Sequence, residues 1–311
     1  MLNRGRNAPN PAKSDLKKQL KIFKVRPAIE QAIVKELAPT SAATRPDTPS
    51  DAAPPSAAPA RPAFAASVSS LSSERPPTPL VEHRPEAVEP SYVNTSRELE
   101  DILKEMQYHF EGRESEQNWL KREQSITKLR RLIAGNAPAD FPDAFINGLR
   151  ALLDGIIKAA NSLRTSLSKE GCCLAQDMAN AFGHGIDPMV DLLLMTFIKL
   201  SAATKKLASQ LANVTVDTIM GKATYSSRIL QHVWNACQDK NVQPRTYAAG
   251  WLMTLITKEA HHKSHIEHNG GLDVVEKCLK KGLNDANPGV RERMRATYWK
   301  FATIWPARAE M

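Results

Sequence analysis

Basic residues recur near the start of every second predicted helix in the C-terminal part of the chain. Arg122, Arg164, Lys206, Arg245 and Arg291 follow one another at spacings of 42, 42, 39 and 46 residues. Arginine binds carboxylates and phosphates through a planar fork of N–H donors, and lysine contributes a compact positive charge. Taken singly, each residue is equally explained as a solvated helix start or an intrachain ion pair. Their recurrence favours a row that binds an acidic partner.

Trp119 precedes the first of these basic residues and follows the polar stretch 111–118. A tryptophan beside a loop is typical of an interface anchor, where truncation to alanine costs ~2 kcal/mol or more of binding. The alternative is a core residue, because Ile126 lies seven residues later and shares a helix face. The remaining tryptophans lie within apolar-periodic segments and are predicted to pack in the core: Trp234, Trp251, Trp299 and Trp305.

Apolar residues at spacings of three and four predict helices throughout the chain after residue 95. Thr95 and Glu98 form a capping-box signature ahead of the first helix. No segment shows the sustained alternation expected of a strand, so the fold class is all-α. The other predicted helices are Trp119–Ala134, Phe141–Lys158, Thr165–Phe182, Met189–Leu200, Lys205–Met220, Ser227–Gln238, Arg245–Lys258, Leu272–Leu283 and Val290–Ile304.

Two helices in each period of about 40 residues are typical of HEAT repeats. One such pair cannot bury its apolar face without neighbours, so about five pairs are expected to stack into an α-solenoid. Equivalent connections then recur along one edge of the stack. The basic residues of the connections are therefore expected to line that edge.

The chain before residue 95 has a different composition. Of the 21 prolines, 15 lie before residue 96. Residues 39–94 are rich in Pro, Ala and Ser and are predicted to be a disordered linker, because so few large apolar residues cannot offset the entropy of ordering the backbone. Its Thr48 and Thr78 precede prolines, as phosphorylation sites do, although such pairs are common in this composition. Residues 1–38 contain a short basic helical segment, which is interpreted as the remnant of an upstream region, with a partner-binding helix as the alternative. Residues 95–311 form the helical domain.

The composition of the chain and the motifs that it lacks exclude several classes of protein. The chain has 42 Lys and Arg against 33 Asp and Glu, for a net charge of +9. Its four cysteines lack C-x-x-C spacing, which argues against a disulfide scaffold or a zinc ribbon. No apolar stretch approaches the roughly 20 residues of a membrane span. Nucleotide-binding, hydrolase and metalloprotease motifs are missing, so neither an enzyme, a small-molecule substrate nor a cofactor is expected.

A histidine cluster follows the eighth predicted helix and has spacings that allow a metal site. Zinc needs three or four ligands in tetrahedral geometry, and no cysteine or carboxylate stands at a completing spacing. A polar connection between repeats is the preferred interpretation. The cluster comprises His261, His262, His265 and His268.

Several motifs resemble, in order, the TOG domain of the CLASP family, the cytoplasmic-linker-associated regulators of microtubules. They are SRELEDILKEM, the W-x-x-R of Trp119 and Arg122, LRTSLSKEGC, KNVQPR and KKGLNDANPGVRERMRATYW. The match covers residues 96–311 and is similar above all to the second TOG-type module. It implies a non-enzymatic HEAT-repeat paddle that binds αβ-tubulin, suppresses microtubule catastrophe and promotes rescue, including in the mitotic spindle.

The resemblance also implies which residues face tubulin, because the family uses the loops within its repeats. Those positions are Trp119, Lys121, Arg122, Arg164, Thr165, Lys205, Lys206, Lys240, Arg245, Arg291 and Arg295. Plus-end-tracking proteins would be further partners, through regions that this chain lacks. The implied locations are cytoplasm, cytoskeleton and spindle, and the nucleus during mitosis. A basic scaffold for nucleic acid or another acidic protein remains the alternative.

Overall fold

The structure, a computed structural model, describes residues 87–309. The predictions for residues 1–38, for most of the linker and for Thr48 and Thr78 lie outside the described residues. All regular elements of the described part are helices, which confirms the all-α fold class.

Five antiparallel helix pairs make up the described chain, with short helices between them. The first helices of the pairs are α1 (Ser96–Phe110), a divided helix α4 (Pro142–Ala151) with α5 (Leu153–Ala160), α7 (Asp187–Ser201), α9 (Ser227–Cys237) and α12 (Gly271–Leu283). The second helices are α2 (Trp119–Ala134), α6 (Thr165–Phe182), α8 (Lys206–Lys222), α10 (Val242–Lys258) and α13 (Pro288–Ile304). Short helices α3 (Ala137–Asp140), α11 (Ser264–Glu267) and α14 (Pro306–Ala309), and 3-10 turns at Gly183–Ile186, Glu259–His261 and His268–Gly270, complete it.

Helix α1 shows how the sequence pattern sets these elements. Thr95 caps the helix, since its side chain accepts a hydrogen bond from the Glu98 N–H at 3.1 Å. The Glu98 carboxylate accepts in turn from the Asn94 N–H at 2.8 Å. The Thr95 half of the predicted capping box is therefore confirmed, whereas the Glu98 carboxylate binds the N–H of the residue before the cap. The apolar stripe is buried in the core: Leu99, Leu103, Met106 and Phe110.

The helices form two layers. Consecutive second helices pack side by side in the order α2, α6, α8, α10 and α13, and each also packs on its own first helix. Hydrogen bonds cross the interior between second helices, as from Gln176 to Thr215 Oγ1 at 2.9 Å and from Thr297 to the Ala249 carbonyl at 2.8 Å. Stacked pairs of this kind share one continuous apolar core, as the predicted α-solenoid requires.

The helix predicted from Phe141 to Lys158 is divided near Leu152 into α4 and α5. Glycines on either side of this break lie directly against α1. A Cβ at Gly148 would stand 2.3 Å from Leu103, and a Cβ at Gly155 would stand 2.4 Å from the Phe110 ring. The spacing pattern alone does not show this close approach, because it records only which positions are apolar.

The packed domain begins earlier than the predicted boundary at residue 95. The Ser91 N–H donates to the Arg131 carbonyl at 2.8 Å, and the buried Val93 exchanges backbone hydrogen bonds with the Asn136 side chain. Gly135 makes room for this segment, because a Cβ there would lie 2.0 Å from the Ser91 carbonyl oxygen. The end of the linker predicted over 39–94 therefore belongs to the domain.

One segment of the described chain, Thr165–Ser201, has the length and mean hydropathy (1.2) of a possible membrane span. It comprises α6 and α7, which are separated at Gly183 by a backbone φ of 52°. Both helices pack on α8. The side chains that both helices bury belong to the core of the stack, among them Leu174, Met178 and Phe197.

Candidate interaction site

The connections within the five helix pairs lie along one edge of the stack. We name them L1 (111–118), L2 (161–164), L3 (202–205), L4 (238–241) and L5 (284–287), and call them, with the first turns of the second helices, the loop edge. A side chain from each connection, or from the first turn of the helix that follows it, contacts the neighbouring connection. Ser162 donates to Glu114 at 2.9 Å, Lys205 to the Leu163 carbonyl at 2.9 Å, Asn241 to the Ala202 carbonyl at 3.1 Å, and Arg245 to Asp285 at 2.8 Å.

In each helix pair, the fourth residue of the second helix donates hydrogen bonds across the connection, to carbonyls at or near the end of the first helix. Ser168 donates to the Ala160 carbonyl at 2.7 Å, and Ser209 donates to the Ser201 carbonyl at 2.6 Å. In the other three pairs this residue is an arginine that donates to carbonyls at or just beyond the end of the first helix: Arg122, Arg245 and Arg291. Terminal carbonyls have no partner within their helix and form the negative end of its dipole, so a donor or a cation is favoured there.

Arg122 corrects the expectation that every basic residue of the row is exposed. Its side chain is only 1% exposed and donates to the carbonyls of His109, Glu111 and Gly112 at 2.9–3.1 Å. Gly112 adopts a φ of 67°, a left-handed conformation that glycine favours, where L1 turns back toward this guanidinium. Arg122 therefore holds the fold of L1 and offers no charge to a partner.

Arg245 and Arg291 are also largely directed inward. Arg245 makes a bidentate ion pair with the buried Asp285 of the next repeat and donates to the carbonyls of Asp239 and Lys240. Burial raises the pKa of Asp285, but hydrogen bonds from Arg245 and from the Asn287 N–H outweigh it, and the net pKa lies below its ordinary value. The recurring basic residues therefore occupy two kinds of position. Arg122, Arg245 and Arg291 are fourth residues of their helices and point inward, whereas Arg164 and Lys206 stand at helix starts.

Trp119, the first residue of α2, lies on the loop edge and not in the core. Its side chain is half-buried, and the Arg164 guanidinium carbon stands 4.5 Å from the centroid of its ring. Arg164 is held on its other side by carboxylates of L1, with Nη2 at 2.5 Å from Glu116 and Nε at 3.7 Å from Glu114. The arginine thus spans L1 and L2 and supports the indole as a cation–π partner.

The remaining predicted site residues are exposed. Lys121 follows the indole by two residues, and Arg295 lies two turns into α13. Lys205 bridges L3 to L2 through its ammonium group but remains solvent-accessible. The others stand at the ends of the connections or at first helical positions: Thr165, Lys206 and Lys240.

Apolar side chains on the loop edge were not predicted from the sequence. Leu163 in L2 is 87% exposed, Leu120 in α2 is 50% exposed, and Leu207 and Val242 are also open to solvent. Each of these apolar residues lies within three residues of a basic residue of the predicted row. This proximity in the sequence could have indicated that they share the exposed edge. The prediction that Trp299 packs in the core is wrong, because its side chain is 69% exposed on α13. Trp251 and Trp305 are buried, as predicted.

Other residues with possible chemistry are accounted for by packing. All four cysteines are buried, and burial raises the pKa of Cys172 to about 12 and of Cys173 to about 11. His265 contacts the buried Glu259 at 2.8 Å and stacks on His262. Among residues 87–309, no group of three or more His, Cys, Asp or Glu side chains is placed to hold a metal ion.

A stack of helix pairs that presents its intra-pair connections along one edge is an α-solenoid. The family model described as CLASP N terminal matches residues 99–311, and the chain belongs to this family.

Relatives with high identity support this assignment. The protein STU1 of Chaetomium globosum is 65% identical over 98% of this chain and 24% of its own length. Protein stu-1 of Neurospora crassa is 63% identical over 98% of this chain and 28% of its own length. The chain therefore spans about a quarter of these relatives. A designed armadillo repeat protein in complex with the peptide (KR)4 aligns over 65% of this chain and 81% of its own, at 16% identity and a TM-score of 0.37, too low to support an argument.

Proposed function

We propose that this chain is a TOG-type module that binds αβ-tubulin through its loop edge. As a part of a longer microtubule-associated protein, it would help to suppress catastrophe and promote rescue, without catalysing a reaction. Its locations would be the cytoplasm, the cytoskeleton and the spindle, and the nucleus during mitosis. The observation that carries the proposal is the alignment of L1 to L5 on one edge, with Trp119 presented there against Arg164. Membership of the CLASP N terminal family supports it.

The edge combines an apolar anchor with dispersed charge. Trp119 and the exposed Leu163 offer apolar area that a partner can desolvate, which is where binding free energy concentrates. Lys121, Lys206 and Lys240 offer charges that guide an acidic partner and set its orientation. Arg164 acts through Trp119 as a positioning residue, because its own charge already faces two carboxylates.

The rigidity of the edge favours binding. Side chains at an interface cost about 0.5–1.5 kcal/mol each when they must be immobilised on association. Here the connections are already fixed by bonds to their neighbours and by the fourth residues of the second helices. A preformed edge avoids much of this cost.

A binding comparison with the full chain tests the proposal against the nucleic-acid alternative. Purified αβ-tubulin and a single-stranded oligonucleotide of similar charge are titrated separately into the chain at the same ionic strength. We expect a stable complex with tubulin and only weak, sequence-independent binding of the oligonucleotide. The loop edge favours this result, because it presents a single aromatic side chain, Trp119, and so offers no series of rings on which successive bases could stack. Binding of the oligonucleotide without binding of tubulin would overturn the proposal.

Ionic strength gives a second readout of the same interface. Charges exposed to solvent are screened beyond about 8 Å at physiological salt. Affinity for tubulin should therefore fall as salt is raised, with a residual contribution from Trp119 and its apolar neighbours. An affinity that does not change with salt would contradict a role for the exposed lysines.

A further inference from the structure

A cavity of about 450 Å³ opens on the loop edge between L2 and L3. This volume lies in the range of pockets that enclose a ligand group. Leu200, Leu211 and Ala208 contribute apolar surface, and Leu163 and Leu207 are exposed beside it. We call it the L2–L3 pocket.

The pocket lies where the closing residues of the connections are small. In the second and third pairs the fourth residue of the second helix is a serine, Ser168 or Ser209, and in the other three it is an arginine. Ser168, which lines the pocket, reaches only the Ala160 carbonyl and leaves the space beyond it open. Small residues in L3, including Ala203, leave that space unfilled.

The charged residues that line the pocket are all lysines. Lys169, Lys205 and Lys206 contribute to its lining, which contains neither aspartate nor glutamate. Lys205 also donates to the Leu163 carbonyl at 2.9 Å and so ties the two sides of the pocket together. L1 differs, because Glu114 and Glu116 stand there beside Arg164.

We propose that the L2–L3 pocket receives one apolar side chain from an acidic segment of the tubulin surface, with carboxylates of that segment facing Lys205 and Lys206. This inference rests on the function proposed above and adds a second anchor to Trp119. The exposure of Leu163 supports it, because apolar surface left open beside a cavity is typical of a site that a partner covers. Charge complementarity selects an acidic occupant.

Filling the pocket tests the inference. Ala208→Phe places a ring in the cavity, and Ala181→Phe places one on an exposed position near the end of α6, at the opposite end of that helix from the loop edge. Ala208→Phe should weaken tubulin binding at least tenfold while the thermal unfolding midpoint stays near that of the parent chain. Ala181→Phe should bind as the parent does. If the parent binds tubulin and Ala208→Phe binds equally well, the pocket inference is wrong but the proposed function stands. If the parent does not bind, both are overturned.

A crosslinking measurement covers the case in which Ala208→Phe fails to fold. A photoreactive benzophenone amino acid replaces Leu207 at the pocket in one chain and Met195, 56% exposed on α7, in the other. Irradiation with tubulin should crosslink the Leu207 position to an acidic peptide that contains an apolar residue, and the Met195 position should give little product. Absence of a crosslink from Leu207, or crosslinking only to basic peptides, would overturn the inference.

Discussion

The Arg164 guanidinium lies 4.5 Å from the centre of the Trp119 ring and joins two successive connections of the stack. Glu116 holds the same guanidinium through a 2.5 Å contact. Three side chains from L1, α2 and L2 thus fix one another before any partner arrives. The indole is therefore presented in a defined orientation, and the arginine serves the site mainly through this support.

Replacing Arg164 by lysine separates its stacking from its charge. Arg164→Lys keeps the positive charge but loses the planar group that covers the indole. A cation–π contact at an exposed site contributes about 0.5–1 kcal/mol, so tubulin affinity should fall by about two- to fivefold. Isothermal titration with tubulin measures this change, and tryptophan fluorescence reports the altered environment of Trp119. Unchanged affinity would mean that only the charge matters.

Arg122 should matter for stability. Arg122→Ala removes the donors to three carbonyls in and after the last turn of α1 and leaves a gap beneath L1. Because the variant loses charged hydrogen bonds and buried packing, its free energy of unfolding should be lower than that of the parent by about 2–4 kcal/mol. Urea unfolding measures it. A variant with the parent's unfolding midpoint but no tubulin binding would instead show Arg122 to be a contact residue.

The sequence predicted the stack well because helix formation and pairing follow from local spacing. The starts of α2 and α6 were predicted at Trp119 and Thr165, and both are confirmed. The direction of each basic side chain was not predicted, because it depends on the neighbouring repeat. Arg245 faces Asp285, 40 residues later in the chain, and no local pattern records this pairing. The position within the helix distinguishes the two groups. The inward arginines are fourth residues of their helices, whereas Arg164 and Lys205 immediately precede theirs.

The pKa of Asp285 gives a pH-dependent prediction. Because its folded-state pKa is lowered, Asp285 stabilises the fold above its unfolded-state pKa of about 4, and this stabilisation is lost as pH falls through the folded-state value. Asp285→Asn should lower the free energy of unfolding by about 2 kcal/mol at neutral pH. The difference from the parent should shrink as pH is lowered towards about 3. Urea unfolding at several pH values measures it, and a difference that stays constant with pH would contradict the assignment.

The most direct test of the loop edge compares two double variants of matched composition. Trp119→Ala with Arg164→Ala removes the supported indole, whereas Trp299→Ala with Arg228→Ala removes an exposed tryptophan and an exposed arginine elsewhere. Arg228 stands at the start of α9, where the first helices begin and not where the intra-pair connections lie. Tubulin affinity is measured for both at one ionic strength, with thermal unfolding as the control for folding.

We expect at least a tenfold loss of tubulin affinity for the Trp119 and Arg164 pair, with a melting temperature lowered by no more than about 4 °C. The Trp299 and Arg228 pair should bind as the parent does. Equal binding by the first pair, or an equal loss by the second, would contradict the assignment of the loop edge as the tubulin-binding surface.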